Sequence, residues 1–404
     1  MDKIEVITHA SSLHGQREIA PLKEQLLREI GAACDVDLRE VESPSGEGLA
    51  AVLVLTGGVE RDVLKLVSQL PSPILLIAHP GHNSLPACLE ILARIRQEGG
   101  EGQILFGSPE QIARRLALEL QVISAWEGFR FSRVGLIGAP SDWLVASDLD
   151  RAFLKGRLGI ELVQIEMDEL MRRIESVTPS KKDIARATKA LQEEAKPSKE
   201  QLRQAVSVYT ALLALVEEHR LAAFTVRCFD LISQLRNTGC YALSRLNDER
   251  IPAGCEGDLQ ALFSLYIAFL LSEKAAFMGN VASVDTATNR IILAHCSCPL
   301  SLGTRYAIRS HFESGLGVGI SVALSEGPCT LFRLGGDRLD QLFIRQGTIE
   351  GACERDDLCR TQATLFLTEP IDQLLTSPLG NHHILLPGYH REAIECFFKR
   401  YLRP

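Results

Sequence analysis

Three short stretches carry the residue types best suited to chemistry: Cys255-Glu256-Gly257-Asp258, Leu293-Ala294-His295-Cys296 and Gly380-Asn381-His382-His383. One carboxylate and two separated histidine positions make the start of a divalent-metal site. Imidazole and carboxylate together suit Mn²⁺, Fe²⁺, Co²⁺ or Zn²⁺. Glycines on either side of Glu256 permit close backbone approach and unusual torsions. Asp258 reads as the N-cap of a helix running through Leu271. His295 ends an apolar strand, Arg290 to Ala294. His382 and His383 open another strand. Adjacent strand residues face opposite ways, so at most one of the two points into any one site. Between the first two stretches lies Phe277-Met278-Gly279-Asn280, where a second carboxylate would complete such a site. That segment contains none.

Further polar groups cluster in two places. Arg305, Arg309, His311 and Glu313 share one segment, and Arg360-Thr361-Gln362 forms another. Their chemistry suits recognition of hydroxyl or anionic groups on a polar ligand. Gly57-Gly58 and Gly335-Gly336 complete neither a dinucleotide fingerprint nor a P-loop.

The elements that must position these groups read as follows. A chain of 404 residues exceeds what one core usually serves. The first part alternates strands (Ile4 to His9, Ala51 to Thr56, Pro73 to His79, Gln103 to Phe106) with helices, the βαβα pattern of a doubly wound α/β domain. The pattern restarts at Arg133 to Ala139, with strands at Ile160 to Ile165 and Ala222 to Arg227. Ser141 is a candidate N-cap for a helix through Leu154. Lys181 to Glu218 reads as a charged helical region broken at Pro197, its charges forming a solvated face. Past Phe277, short β-rich runs follow one another, the texture of an antiparallel barrel or sandwich. The expected fold class is therefore α/β: two doubly wound α/β domains over residues 1–128 and 129–276, then a β-rich, barrel-like domain over 277–404.

Composition narrows the function classes. The net charge of −8 gives no footprint for nucleic acid and disfavours anionic membranes. The longest apolar runs are too short to span a bilayer. Met1-Asp2-Lys3-Ile4-Glu5-Val6 mixes charge into the first strand and offers no apolar signal core. Eleven cysteines are scattered without Cys-x-x-Cys pairs. Cys34, Cys88, Cys228, Cys240, Cys255 and Cys396 sit in apolar or helical surroundings, where cysteine acts as a small hydrophobe. A cytoplasmic, reducing setting is expected.

From Val134 onward the chain resembles the L-fucose isomerase and L-arabinose isomerase superfamily. The resemblance rests on Val134 to Trp143, Ala253-Gly254-Cys255-Glu256-Gly257-Asp258, Phe277-Met278, His295-Cys296 and Asn381-His382-His383. It implies aldose–ketose isomerisation of an open-chain sugar at a divalent metal, usually Mn²⁺, in a homo-oligomer. It implies Glu256 as ligand and acid/base, His295 as ligand, and His382 or His383 as the C-terminal ligand, with His383 favoured. The family's second carboxylate falls at Gly279 or Asn280, so Asn280 fills the vacated position. Asp258, Asp285 and Glu313 are the candidate replacements. Arg305, Arg309, His311 and Arg360 are expected to contact substrate. The alternatives are a sugar-binding or regulatory relative without turnover, or a different enediolate chemistry.

Overall fold

The computed structural model describes residues 3–33, 37–45, 48–189 and 197–403. The chain divides into two compact units, Met1–Ser124 and Ala125–Pro404. The first is a five-stranded parallel sheet of β1 (Lys3–His9), β2 (Asp37–Glu40), β3 (Leu49–Val54), β4 (Ile74–Ile77) and β5 (Gly102–Leu105), in the order β2-β1-β3-β4-β5. Side chains of β3 alternate between two cores. Ala51 and Leu53 join Leu75 and Ile77 on one face, and Val52 and Val54 join Leu76 on the other. Burial on both faces is why β3 and β4 are apolar throughout. Strand β2 escapes sequence reading because three of its four residues (Asp-Leu-Arg-Glu) are charged.

The second unit begins with a four-stranded parallel sheet of β6 (Arg133–Ile137), β7 (Glu161–Ile165), β8 (Ala223–Val226) and β9 (Ala253–Cys255), ordered β7-β6-β8-β9. Next come β10 (Phe277–Asp285), β11 (Arg290–His295), β12 (Gly303–Arg309), β13 (Gly319–Leu324), β14 (Gly327–Gly335), β15 (Gln341–Ala352), β16 (Thr361–Leu367) and β17 (His382–Pro387). Six of these close into an antiparallel barrel, β10-β11-β16-β15-β14-β17, while β12 and β13 pair separately. The expected α/β sheets and β-rich barrel are both present.

One helix, Leu259–Ser272, packs against both layers of this unit, touching β8 and β9 as well as β14 and β17. A helix contacted on opposite sides must be apolar all round. Its sequence, LQALFSLYIAFLLS, meets that demand. Asp258 caps it, accepting from the Ala261 backbone N–H at 2.8 Å.

Ser141 does not start a helix. Residues 141–149 run irregularly, and the helix Arg151–Arg157 begins at Asp150, whose carboxylate accepts from the Ala152 and Phe153 backbone N–H groups. In the charged region, helices Lys181–Lys189 and Lys199–His219 are present. The part of that region at 190–196 lies outside the described residues, as does Cys34. Cys88, Cys228, Cys240 and Cys255 are buried and Cys396 is half-buried. No described helix is long and apolar enough to cross a membrane.

Candidate metal centre

Glu256 sits in the turn between β9 and the central helix. The backbone there is left-handed, with φ of +63° at Glu256 and +74° at Gly257. A Cβ on Gly257 would lie 2.5 Å from the Ala139 carbonyl oxygen and 2.7 Å from Pro140 Cα, so only glycine fits. The Ser141 N–H donates to the Glu256 carbonyl at 2.8 Å, tying the two loops together. Arg227 braces the same loop through Asp142 and the Pro140 carbonyl.

Three side chains converge on this turn. His295 ends β11, His382 opens β17, and one ligand atom from each of these and Glu256 lies within 4.8 Å of the others. Glu256 Oε1 is 3.7 Å from His295 Nε2 and 3.6 Å from His382 Nε2. Both separations are longer than a hydrogen bond. Glu256 Oε2 is held by the indole N–H of Trp143 at 2.7 Å.

The outer nitrogen of each imidazole is already engaged. His295 Nδ1 meets Ser297 Oγ at 2.9 Å, and His382 Nδ1 meets Asp258 Oδ2 at 2.9 Å. This leaves His382 Nε2 buried without a hydrogen-bond partner and aimed at Glu256. A carboxylate that orients a histidine whose other nitrogen faces two further ligand groups is the usual support of a metal site. A buried Glu/His/His set of this kind is able to hold a divalent ion.

Behind Asp258 stands Arg333, fully buried in β14. It donates to Asp258 at 3.2 Å, to the His382 carbonyl at 2.6 Å, and to Ser147, Gln260 and Leu379. Gly380, at φ +148°, makes room for it, since a Cβ there would lie 2.4 Å from Arg333 Nη2.

The electrostatics follow from this layout. Burial would raise the Glu256 carboxyl, but the two imidazoles hold it well below the usual carboxylate range. Burial likewise opposes ionisation of Asp258, and Arg333 with His382 overcomes it. Burial would lower His382, yet Asp258 and Glu256 push it up to about 9.

A pH dependence follows. Without metal, His382 is held protonated well above the ordinary histidine value of about 6.5. Its contribution to stability is full below about pH 6.5 and is lost as pH rises through about 9. Metal must displace that proton. Metal-free protein is expected to lose thermal stability between about pH 6.5 and 9, while its affinity for a divalent ion, titrated calorimetrically, rises over the same range.

The remaining expected residues separate. Asn280 stands opposite His382 in the β10–β17 register and lines the cavity above Glu256. Gly279 does not face it: a Cβ there would lie 2.8 Å from Leu293 Cγ, inside the barrel packing. His383, expected as the C-terminal ligand, lies outside the cluster, whose second imidazole is that of His382. His383 packs edge-on against Phe343 and meets the Asn381 carbonyl, and burial pushes it down to about 3. The physical reason is strand alternation.

His311 is buried and lines the cavity. Arg305, Arg309 and Arg360 are not among the lining residues. Arg305 is exposed on β12, and the Arg360 guanidinium turns to Ser310, donating to its carbonyl at 2.8 Å. Of the three candidate replacement carboxylates, Glu313 lines the cavity. Asp258 is committed to the cap and to Arg333, and Asp285 holds a surface turn through Thr288.

The cavity is small, about 40 Å³, and opens to solvent. Sequence reading missed Phe229, Thr238 and several cysteines in its wall, as well as Trp143 as a partner of Glu256 and Arg333 altogether. The one available signal for Arg333 was a charge in the middle of an apolar strand.

No protein-family model matches the chain. A sulfoquinovose isomerase from Alkalicoccus urumqiensis is 23% identical over 251 residues, 60% of this chain and 56% of that protein. A sulfoquinovose isomerase from Clostridium sp. (strain MSTE9) is 27% identical over 238 residues, 56% of this chain and 51% of that protein. The matched stretch thus spans little more than half the length of either relative. Over little more than half its length the chain is similar to two sulfoquinovose isomerases, enzymes of the fucose/arabinose isomerase-like superfamily.

Proposed function

We propose that the protein is an aldose–ketose isomerase acting on an open-chain monosaccharide or derivative, with a divalent ion, Mn²⁺, held by Glu256, His295 and His382. The observation that carries this reading is the convergence of those three ligand groups beside a cavity that also presents a second carboxylate, Glu313. When bound, such an ion supplies Lewis-acid stabilisation of oxyanion charge on the sugar.

The chain's own residues divide the remaining work. Glu256, kept ionised by its neighbours, serves better as ligand than as base. Glu313 moves the proton between C2 and C1, the role that Asn280 cannot fill because an amide does not accept a proton at neutral pH. Asn280 keeps its carbonyl oxygen on the Asn381 amide at 3.0 Å and offers its own amide N–H groups to a substrate hydroxyl. His311, pushed down to about 4 chiefly by burial, is a neutral hydrogen-bonding group in the wall.

Glu313→Gln is expected to lower isomerase turnover about 10²–10⁴-fold, the usual cost of losing a general base, with metal content unchanged. The assay is a panel of neutral aldoses, sugar acids and sulfoquinovose, run with and without Mn²⁺. Asn280 favours a second reading, a sugar-binding relative without turnover. Saturable binding of a panel sugar with no isomerisation would establish that reading and remove the first.

A further inference from the structure

Five cysteines line the cavity: Cys228, Cys240, Cys255, Cys296 and Cys359. The isomerase reading uses none of them. Two pairs are in contact: Cys228 Sγ lies 2.8 Å from Cys255 Sγ, and Cys296 is hydrogen-bonded to Cys359. The backbone fixes the first contact. Cys255 ends β9, next to Val226 of β8 in the parallel register. After Val226 the chain turns back sharply: the Cys228 N–H donates to the Val226 carbonyl at 2.8 Å, and the Gly257 N–H reaches the same oxygen at 3.1 Å. One carbonyl therefore anchors both cysteine segments.

The separation discriminates between uses. Two thiolates sharing a tetrahedral zinc would stand about 3.8 Å apart, given zinc–sulfur bonds of about 2.3 Å. From 2.8 Å the sulfurs would have to part by about 1 Å to share an ion. Among the described residues, the one cluster of metal-type ligands is Glu256, His295 and His382, with no cysteine in it. A disulfide needs sulfurs about 2.05 Å apart, a closure of under about 1 Å from here.

We propose that Cys228 and Cys255 are a reversible oxidation site, joined as a disulfide by hydrogen peroxide entering the cavity. One sulfur, as its thiolate, attacks a peroxide oxygen; the S–O bond forms as the O–O bond breaks, and the leaving hydroxide takes up the thiol's proton as water, leaving a sulfenic acid. The second thiol sulfur displaces the hydroxyl, the S–S bond forms and a second water leaves. Two electrons pass from the sulfurs to the peroxide, and a small dithiol reverses the change by exchange. Because Cys255 precedes Glu256, the bond pins the turn that presents the carboxylate.

The test needs no isomerase activity. The full-length protein is reduced, freed of reductant, exposed to hydrogen peroxide, alkylated and digested with trypsin. Arg227, Arg236, Arg245 and Arg250 place Cys228 and Cys255 on separate peptides. The expected result is one cross-linked species of those two peptides, lighter than their sum by two hydrogens and split by dithiothreitol. In Cys228→Ser, Cys255 should stay open to alkylation after the same treatment. Full alkylation of both thiols in the oxidised wild type, or linkage of Cys296 to Cys359 in their place, would overturn the proposal.

Discussion

Arg333→Met is expected to destabilise the protein by about 3–5 kcal/mol, the range for leaving one member of a buried ion pair uncompensated. Arg333 and Asp258 are both fully buried side chains, 3.2 Å apart. Methionine fills much of the same volume but donates no hydrogen bond. The Asp258 charge would then rest on His382 and the helix cap alone, and the carbonyls of Leu379 and His382 would each lose a donor. Urea unfolding should show a lower midpoint with an unchanged slope. Adding Asp258→Asn should restore part of the loss, because the uncompensated charge is then gone. A loss under about 1 kcal/mol would mean that the network holds less than its geometry implies.

The second large effect is at Glu256. Glutamine there keeps the side chain's size and can still accept from the Trp143 indole through its amide oxygen. What disappears is the charge that faces His295 Nε2 and His382 Nε2. Loss of an outer-shell partner alone typically costs 10–100-fold in metal affinity. Loss of a charged ligand should cost at least about 100-fold, with turnover falling alongside. His382 would also lose one of the two carboxylates that push its pKa up. The stability lost between about pH 6.5 and 9 in metal-free protein should therefore shrink in Glu256→Gln.

Much of this was legible in the sequence, for identifiable reasons. Apolar runs such as Leu49–Val54 announce strands buried on both faces. The apolar helix after Asp258 announced itself by composition and by its cap. What stayed hidden depended on parity and on convergence. Strand alternation says that His382 and His383 face opposite ways, but not which one meets Glu256. Only the register with β10 settles that, and it settles Gly279 against Asn280 in the same way. Strand β10 itself, FMGNVASVD, mixes glycine, asparagine and serine into a segment of weak strand character. Strand β9 is three residues long and carries no periodicity. The cysteines looked scattered because they are far apart in the chain. They meet because β8, β9, β11 and the loop before β16 all end at one cavity.

The arginines of β12 show the opposite error. Arg305 and Arg309 share a segment with His311 and Glu313, but β12 pairs only with β13, outside the closed barrel. Arg305 faces solvent, while the turn after the strand brings His311 and Glu313 to the cavity.

In the proposed site Glu256, His295 and His382 hold a divalent ion. Metal analysis of purified wild type, Glu256→Gln and His383→Ala, each loaded with Mn²⁺ and dialysed, tests it most directly. The structure predicts a stoichiometric ion in wild type and in His383→Ala, and its loss in Glu256→Gln. Metal retained in Glu256→Gln, or lost in His383→Ala while the fold is intact, would contradict the site.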